Sequence, residues 1–172
     1  MEPQTTTTRI SLKYGIISAV GSIIFITILY LTDQSTNAAI SWLGMIIPIA
    51  AMVMGMKEFR SLNQGFMTYG QGLGIGTLMS AISGFLSSVY TYIYNIFIDP
   101  TLRQQMLDKV RDDLESKGMD DTQVEAALEM TQKFSTPGIT FFVGILMSII
   151  MGFIFSLIIS AIFKKDKPFE LE

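Results

Sequence analysis

Four apolar runs, separated by short polar segments, set the pattern of this chain. Tyr14–Leu31 has eighteen residues without a charge, about 27 Å of helix at 1.5 Å per residue, which matches the hydrocarbon thickness of a bilayer. Thr32–Asn37 is wholly polar and reads as a tight turn between antiparallel spans. A second run, Ala38–Met56, carries Trp42 near its start, where an interfacial ring belongs, and Pro48 in its middle, which removes a backbone donor and predicts a kink. After the polar, net basic link Lys57–Thr68 comes a third run, Tyr69–Ile98. As one helix it would measure about 45 Å, so it must tilt or project. Tyr90, Tyr92, Tyr94 and Asn95 at its far end suit a headgroup interface. The fourth run, Gly138–Phe163, ends at Lys164-Lys165-Asp166-Lys167.

Small residues recur every fourth position in two of these runs: Gly72, Gly76, Ser80, Gly84 and Ser88 in the third, and Gly144, Ser148, Gly152, Ser156 and Ser160 in the fourth. In lipid there is no hydrophobic drive between helices, so close approach over small residues, with hydroxyls able to bond across, is a main source of adhesion. The two stripes are therefore the candidate helix-packing residues, read as pairing within one chain in preference to pairing two copies. Gly15, Ser18, Ala19 and Ser22 give the first span a similar face. Gly70-Gln71-Gly72-Leu73-Gly74-Ile75-Gly76 superficially matches a glycine-rich nucleotide loop, but no strand precedes it and no acid follows at the required distance. Glycines thinning a membrane helix account for it.

Between the third and fourth runs the period changes. Asp99 is placed to cap a helix and Pro100 to open it. Leu102, Met106, Val110 and Leu114, extended by Leu107, make an apolar stripe that stops at Lys117-Gly118. Asp120 with Gln123 spells a capping box, Met119 and Val124 a hydrophobic staple, and Val124, Ala127, Leu128, Thr131 and Phe134 a second buried face ending before Pro137. Two such helices predict an extramembrane hairpin standing off the bilayer, its acidic surface disfavouring anionic lipid. The fold class is thus an all-α integral membrane protein: four transmembrane helices with an amphipathic helical hairpin between the third and fourth. The divisions are a polar tail (1–13), spans one to three (14–98), the hairpin (99–137), span four (138–163) and a basic tail (164–172).

Composition narrows the chemistry. Cysteine and histidine are both absent from the 172 residues, which removes disulfides, thiol nucleophiles, histidine haem ligation and the usual zinc sites. The four apolar runs hold no ionisable Asp, Glu, Lys or Arg, the groups that usually mark coupled transport or an intramembrane acid–base pair. No catalytic residue, cofactor or metal is expected, and the carboxylates between Asp108 and Asp121 lack an EF-hand loop pattern. Four spans place both termini on one side, with Arg9, Lys13, Lys57, Arg60, Lys164, Lys165 and Lys167. The other side has no basic residue in its first link and Arg103, Lys109, Arg111, Lys117 and Lys133 in the hairpin. The positive-inside rule then puts both termini in the cytoplasm and the hairpin outside.

The chain resembles a family of bacterial four-span membrane proteins catalogued as domain-of-unknown-function family 4199. The likeness covers nearly everything from Leu12 to Lys165. It rests on Leu12-Lys13-Tyr14-Gly15, on Gly55-Met56-Lys57-Glu58-Phe59-Arg60, and on the Gln64-Gly65-Phe66 turn leading to Tyr69-Gly70-Gln71-Gly72, with the inserted acidic helical pair as the most distinctive part. Where members commonly read close to Gly-x-Ile-Ser-Phe-Gly, this chain has Gly65-Phe66-Met67-Thr68-Tyr69-Gly70. The resemblance implies a bacterial inner-membrane address and no assigned activity. The expected function is a non-enzymatic accessory or structural membrane subunit acting through helix packing and protein contacts, the alternative being a small transporter or oligomeric channel. Its expected partners are the lipid bilayer and a membrane-protein partner or a second copy of the chain, with no nucleic acid.

Overall fold

The structure, a computed structural model, describes residues 6–167. The first five residues of the polar N-terminal segment and the last five of the tail lie outside the described residues. Among the described residues seven α-helices follow in order: α1 (Thr7–Leu31), α2 (Ala38–Leu43), α3 (Ile46–Leu62), α4 (Tyr69–Ile93, continued by a π-helical turn Tyr94–Ile98), α5 (Leu102–Ser116), α6 (Asp121–Phe134) and α7 (Pro137–Phe163). Four stretches, Thr7–Leu31, Ala38–Leu62, Tyr69–Ile98 and Pro137–Phe163, are long and apolar enough to cross a membrane. Their outward faces expose large apolar side chains, among them Ile24, Ile46, Phe85, Phe142 and Ile162. Such a surface suits contact with lipid or with another apolar surface.

Helix boundaries follow local chemistry. Thr6 caps α1 through the Arg9 amide, so the helix starts ahead of the apolar run and the segment expected as a tail is helical from Thr7. Asp33, Gln64 and Gly118 take left-handed φ values of 54°, 57° and 78°, and each closes a Schellman ending. The amides of Gln34, Gly65 and Met119 reach back to the carbonyls of Leu29, Arg60 and Leu114. The second span is broken rather than simply kinked: Pro48 has no amide to give the Gly44 carbonyl, and the chain separates into α2 and α3 at Gly44-Met45. Lys57, Glu58 and Arg60, expected in a link, occupy the last turns of α3.

The start of α5 also differs from expectation. Asp99 accepts the Thr101 amide at 3.0 Å and closes a turn, and the helix begins at Leu102 without a side-chain cap. Asp120 and Gln123 form the reciprocal capping box of α6. α5 and α6 share a small cluster in which Leu107, Val124 and Leu128 are buried beside Val110 and Leu114, while Phe134 is exposed.

Packing is asymmetric along the bundle. α4 is the central helix, laid along α7 on one side and α1 on the other, and α3 rests mainly on α1. The main core holds Ile10 and Tyr14 of α1, Met52, Met56 and Phe59 of α3, Met67, Ile75 and Met79 around the start of α4, and Ile159 near the end of α7. All of these lie at the end of the bundle where the termini meet. Methionine, unbranched and polarisable, suits a junction of four helices. Met67 and Lys165 pair there as an antiparallel bridge, with amide-to-carbonyl distances of 2.9 and 2.8 Å, and pin the end of α7 to the α3–α4 turn.

Candidate functional site

The ten small residues come together as five glycine–serine pairs across α4 and α7: Gly72 with Ser160, Gly76 with Ser156, Ser80 with Gly152, Gly84 with Ser148, and Ser88 with Gly144. Each pair is four residues further along α4 and four back along α7, so the register is constant and antiparallel. A Cβ on Gly72 would lie 2.6 Å from Ser160 Oγ, and one on Gly144 2.8 Å from Ser88 Oγ. At Gly72 a methyl group would also press on Ser160 Cβ at 2.9 Å, whereas at Gly144 rotation of the Ser88 hydroxyl would make room. Ser148 Oγ donates to the Ser80 carbonyl at 2.9 Å, adding a hydrogen bond to the contact. On the other face of α4, Ser11 Oγ reaches the Ile75 carbonyl at 3.3 Å, Ser83 Oγ lies 3.2 Å from Ser18 Oγ, and a Cβ on Gly15 would meet Ile82 at 3.0 Å.

At the closed end the Glu58 carboxylate accepts from Lys13 Nζ at 2.6 and 2.8 Å and from the Tyr14 hydroxyl at 2.6 Å. This ties the first turns of α1 to the last turns of α3. Lys57 Nζ sits 5.8 Å from the Phe163 ring centre and Lys165 Nζ 5.6 Å from that of Phe66, further fastening α7 to its neighbours.

The opposite end stands open. A cleft of about 900 Å³ runs between α1, α3, α4 and α7 and is bordered above by α5. α1 contributes Ser22, Ile26 and Tyr30; α4 and its π-helical turn contribute Ser83, Ser87, Ser88, Thr91, Tyr92 and Asn95; α7 contributes Thr140, Phe141 and Ser148; α5 contributes Leu102, Arg103, Met106, Lys109 and Val110. A smaller cavity of about 320 Å³ adjoins it between α1 and the α2–α3 break, sharing Ser22, Ile26, Tyr30, Ser35 and Pro48. α5 therefore uses its apolar residues twice: Leu107 and Leu114 toward α6, and Leu102 and Met106 toward the cleft. Tyr94, expected at the interface, is buried, its ring 4.6 Å from Tyr30 and 5.8 Å from Tyr90. Ser87 Oγ is buried without a hydrogen-bond partner among the described residues.

The sequence reading missed the cleft, the Lys13–Glu58–Tyr14 network and the Met67–Lys165 bridge. Ser87, Ser88, Thr91 and Asn95 share one side of a helix by their spacing, which was a signal for the cleft wall. Glu58 as the lone acid between Asp33 and Asp99 was a signal for the network. Among the described residues no group of three or more Asp or Glu is placed to hold a metal. Comparison with curated proteins and with solved structures returned no match. The family model described as "Protein of unknown function (DUF4199)" matches residues 13–165, nearly the whole chain, and the chain belongs to that family.

Proposed function

We propose that this is a non-enzymatic integral protein of the bacterial inner membrane that acts through protein contacts, as an accessory or structural subunit, with both termini cytoplasmic and α5–α6 as a periplasmic hairpin. The supporting observation is the use of both small-residue stripes within the chain: α4 and α7 spend their adhesive faces on each other. What is left for a partner to read is the polar surface of α5–α6, where Glu125 and Glu129 are exposed on α6. The gathering of Arg9, Lys13, Lys57, Arg60 and Lys165 at the closed end favours that end as the cytoplasmic one. The test is purification of the tagged protein from its native membrane in mild detergent, with the mass of the complex determined. A stoichiometric foreign partner, lost in Glu125→Lys/Glu129→Lys, is expected; a self-contained monomer or homo-oligomer overturns the reading.

A second reading, a small transporter, is favoured by the cleft of about 900 Å³, within the range of small-molecule sites. Its test is solute flux in liposomes holding the purified protein, lost when Thr91→Leu obstructs the cleft wall.

A further inference from the structure

We infer that the cleft at the open end is a binding site for one anionic phospholipid of the surrounding bilayer. This goes beyond either reading of function above, since it concerns what occupies the cleft whether or not α5–α6 docks a partner.

The chemistry changes along the cleft in the order that such a lipid presents. At the mouth, α5 brings Arg103 and Lys109, and no Asp or Glu is among the lining residues. Arg103 donates one guanidinium N–H to the Gln132 carbonyl at 3.0 Å and has further donors in its fork; Lys109 pairs with Asp113 at 3.0 Å through one of three ammonium protons. Both are exposed, on flexible stems, and within the wall of a site mainly apolar elsewhere. A phosphodiester is the anion that suits such a pair.

Below the mouth the α4 wall is a ladder of polar groups, Asn95, Thr91, Ser88 and Ser87. From Asn95 down to Ser83 the cleft follows α4 for ~18 Å at 1.5 Å per residue. A phospholipid carries two ester carbonyls just under its phosphate, acceptors without donors, and hydroxyl and amide donors at this depth match them. Beside the ladder, Ile26 of α1 and Phe141 of α7 give the apolar surface that acyl chains need, while Leu102 and Met106 of α5 lie at the mouth with the basic pair. A soluble anion would use the mouth and leave these walls unsatisfied. α3 and α7 share the core at the closed end, and at the other end Pro48, near the start of α3, and Thr140 and Phe141, near the start of α7, line the cleft.

The experiment uses the full chain, delipidated in detergent and then offered phosphatidylglycerol or phosphatidylcholine of the same chain length, with bound lipid counted by native mass spectrometry. The expected result is one retained phosphatidylglycerol, with phosphatidylcholine retained far less. Arg103→Gln/Lys109→Gln should lower phosphatidylglycerol retention by about thirtyfold, taking two basic groups near a lipid phosphate. Arg111→Gln/Lys117→Gln, which makes the same change in net charge on α5 and the turn that ends it, away from the cleft lining, should not lower it. Thr91→Leu, which adds bulk to the ladder, should lower retention without removing the basic pair. Equal retention of both lipids, or equal loss in the two charge variants, would overturn the inference. So would thermal stabilisation by inorganic phosphate equal to that by phosphatidylglycerol, which would mark a soluble-anion site.

Discussion

Gly152 of α7 lies against Ser80 of α4 so closely that a β-carbon at position 152 would overlap the serine's Cβ and Oγ. The pair stands at the centre of the five, with Gly76–Ser156 and Gly84–Ser148 on either side. Where the apolar solvent is lipid, dispersion contacts and Ser-to-carbonyl bonds at such separations hold α4 and α7 together.

Gly152→Leu should therefore lower stability by about 1–3 kcal/mol through overpacking, read as a fall in the thermal unfolding midpoint in mild detergent. Gly74→Leu is the control: nothing lies within 4 Å of a Cβ there, and its midpoint should stay near that of the parent. Exchanging the pair, Ser80→Gly with Gly152→Ser, should recover most of what Gly152→Ser alone loses. Independent, additive effects of the two changes would show that the residues do not touch.

Glu58 serves two partners, so its variants should rank in a set order. Glu58→Ala loses the bonds to both Lys13 and Tyr14 and should cost about 1–2 kcal/mol in thermal or denaturant unfolding. Glu58→Gln retains an acceptor for the Tyr14 hydroxyl and should cost less. Lys13→Met should cost least, since the ammonium is half exposed, with 51% of its side chain accessible, and solvent screens its ion pair. A larger loss in Lys13→Met than in Glu58→Ala would contradict this account.

The Met67–Lys165 bridge is made by backbone atoms, so side-chain identity should matter little and the amide a great deal. Lys165→Ala gives up only the contact with the Phe66 ring and should leave hydrogen exchange at Met67 slow. Lys165→Pro removes a donor and should speed exchange at Met67 and over the first turn of α4. Equal exchange in the two variants would mean that the bridge does not hold the turn.

Cysteine is absent from the sequence, which makes single-cysteine labelling of the proposed orientation direct. Lys117→Cys, between α5 and α6, should react with a membrane-impermeant maleimide in intact spheroplasts, and Ser61→Cys, near the end of α3, only after lysis. The reverse pattern would place the termini outside.

What could be read along the chain was what neighbouring residues decide among themselves. Uncharged length set the four spans, Asp120 and Gln123 set the start of α6, Gly118 set the end of α5, and the four-residue recurrence of glycine and serine marked which faces of α4 and α7 come close. Each of these depends on residues a few positions apart, where helix geometry fixes the relationship. Local pattern misplaced events where two interactions compete. Pro48 broke its span at Gly44, four residues away, because the lost bond belongs to that carbonyl; Tyr94 is buried, with the rings of Tyr30 and Tyr90 beside it.

Tertiary structure decided which surfaces meet. Two stripes of mixed glycine and serine leave the partner open, so periodicity alone permits a pair within the chain or between copies, and only the placement of α7 along α4 selects the first. The core gathers at one end because Met67–Lys165 and Lys13–Glu58–Tyr14, joined across long separations in sequence, tie four helix ends together there. Among the described residues no such tie joins α3 to α7 at the other end, and the space left there between α1, α3, α4 and α7, bordered by α5, is the cleft. No single helix contains that space, so no single stretch of sequence could announce it.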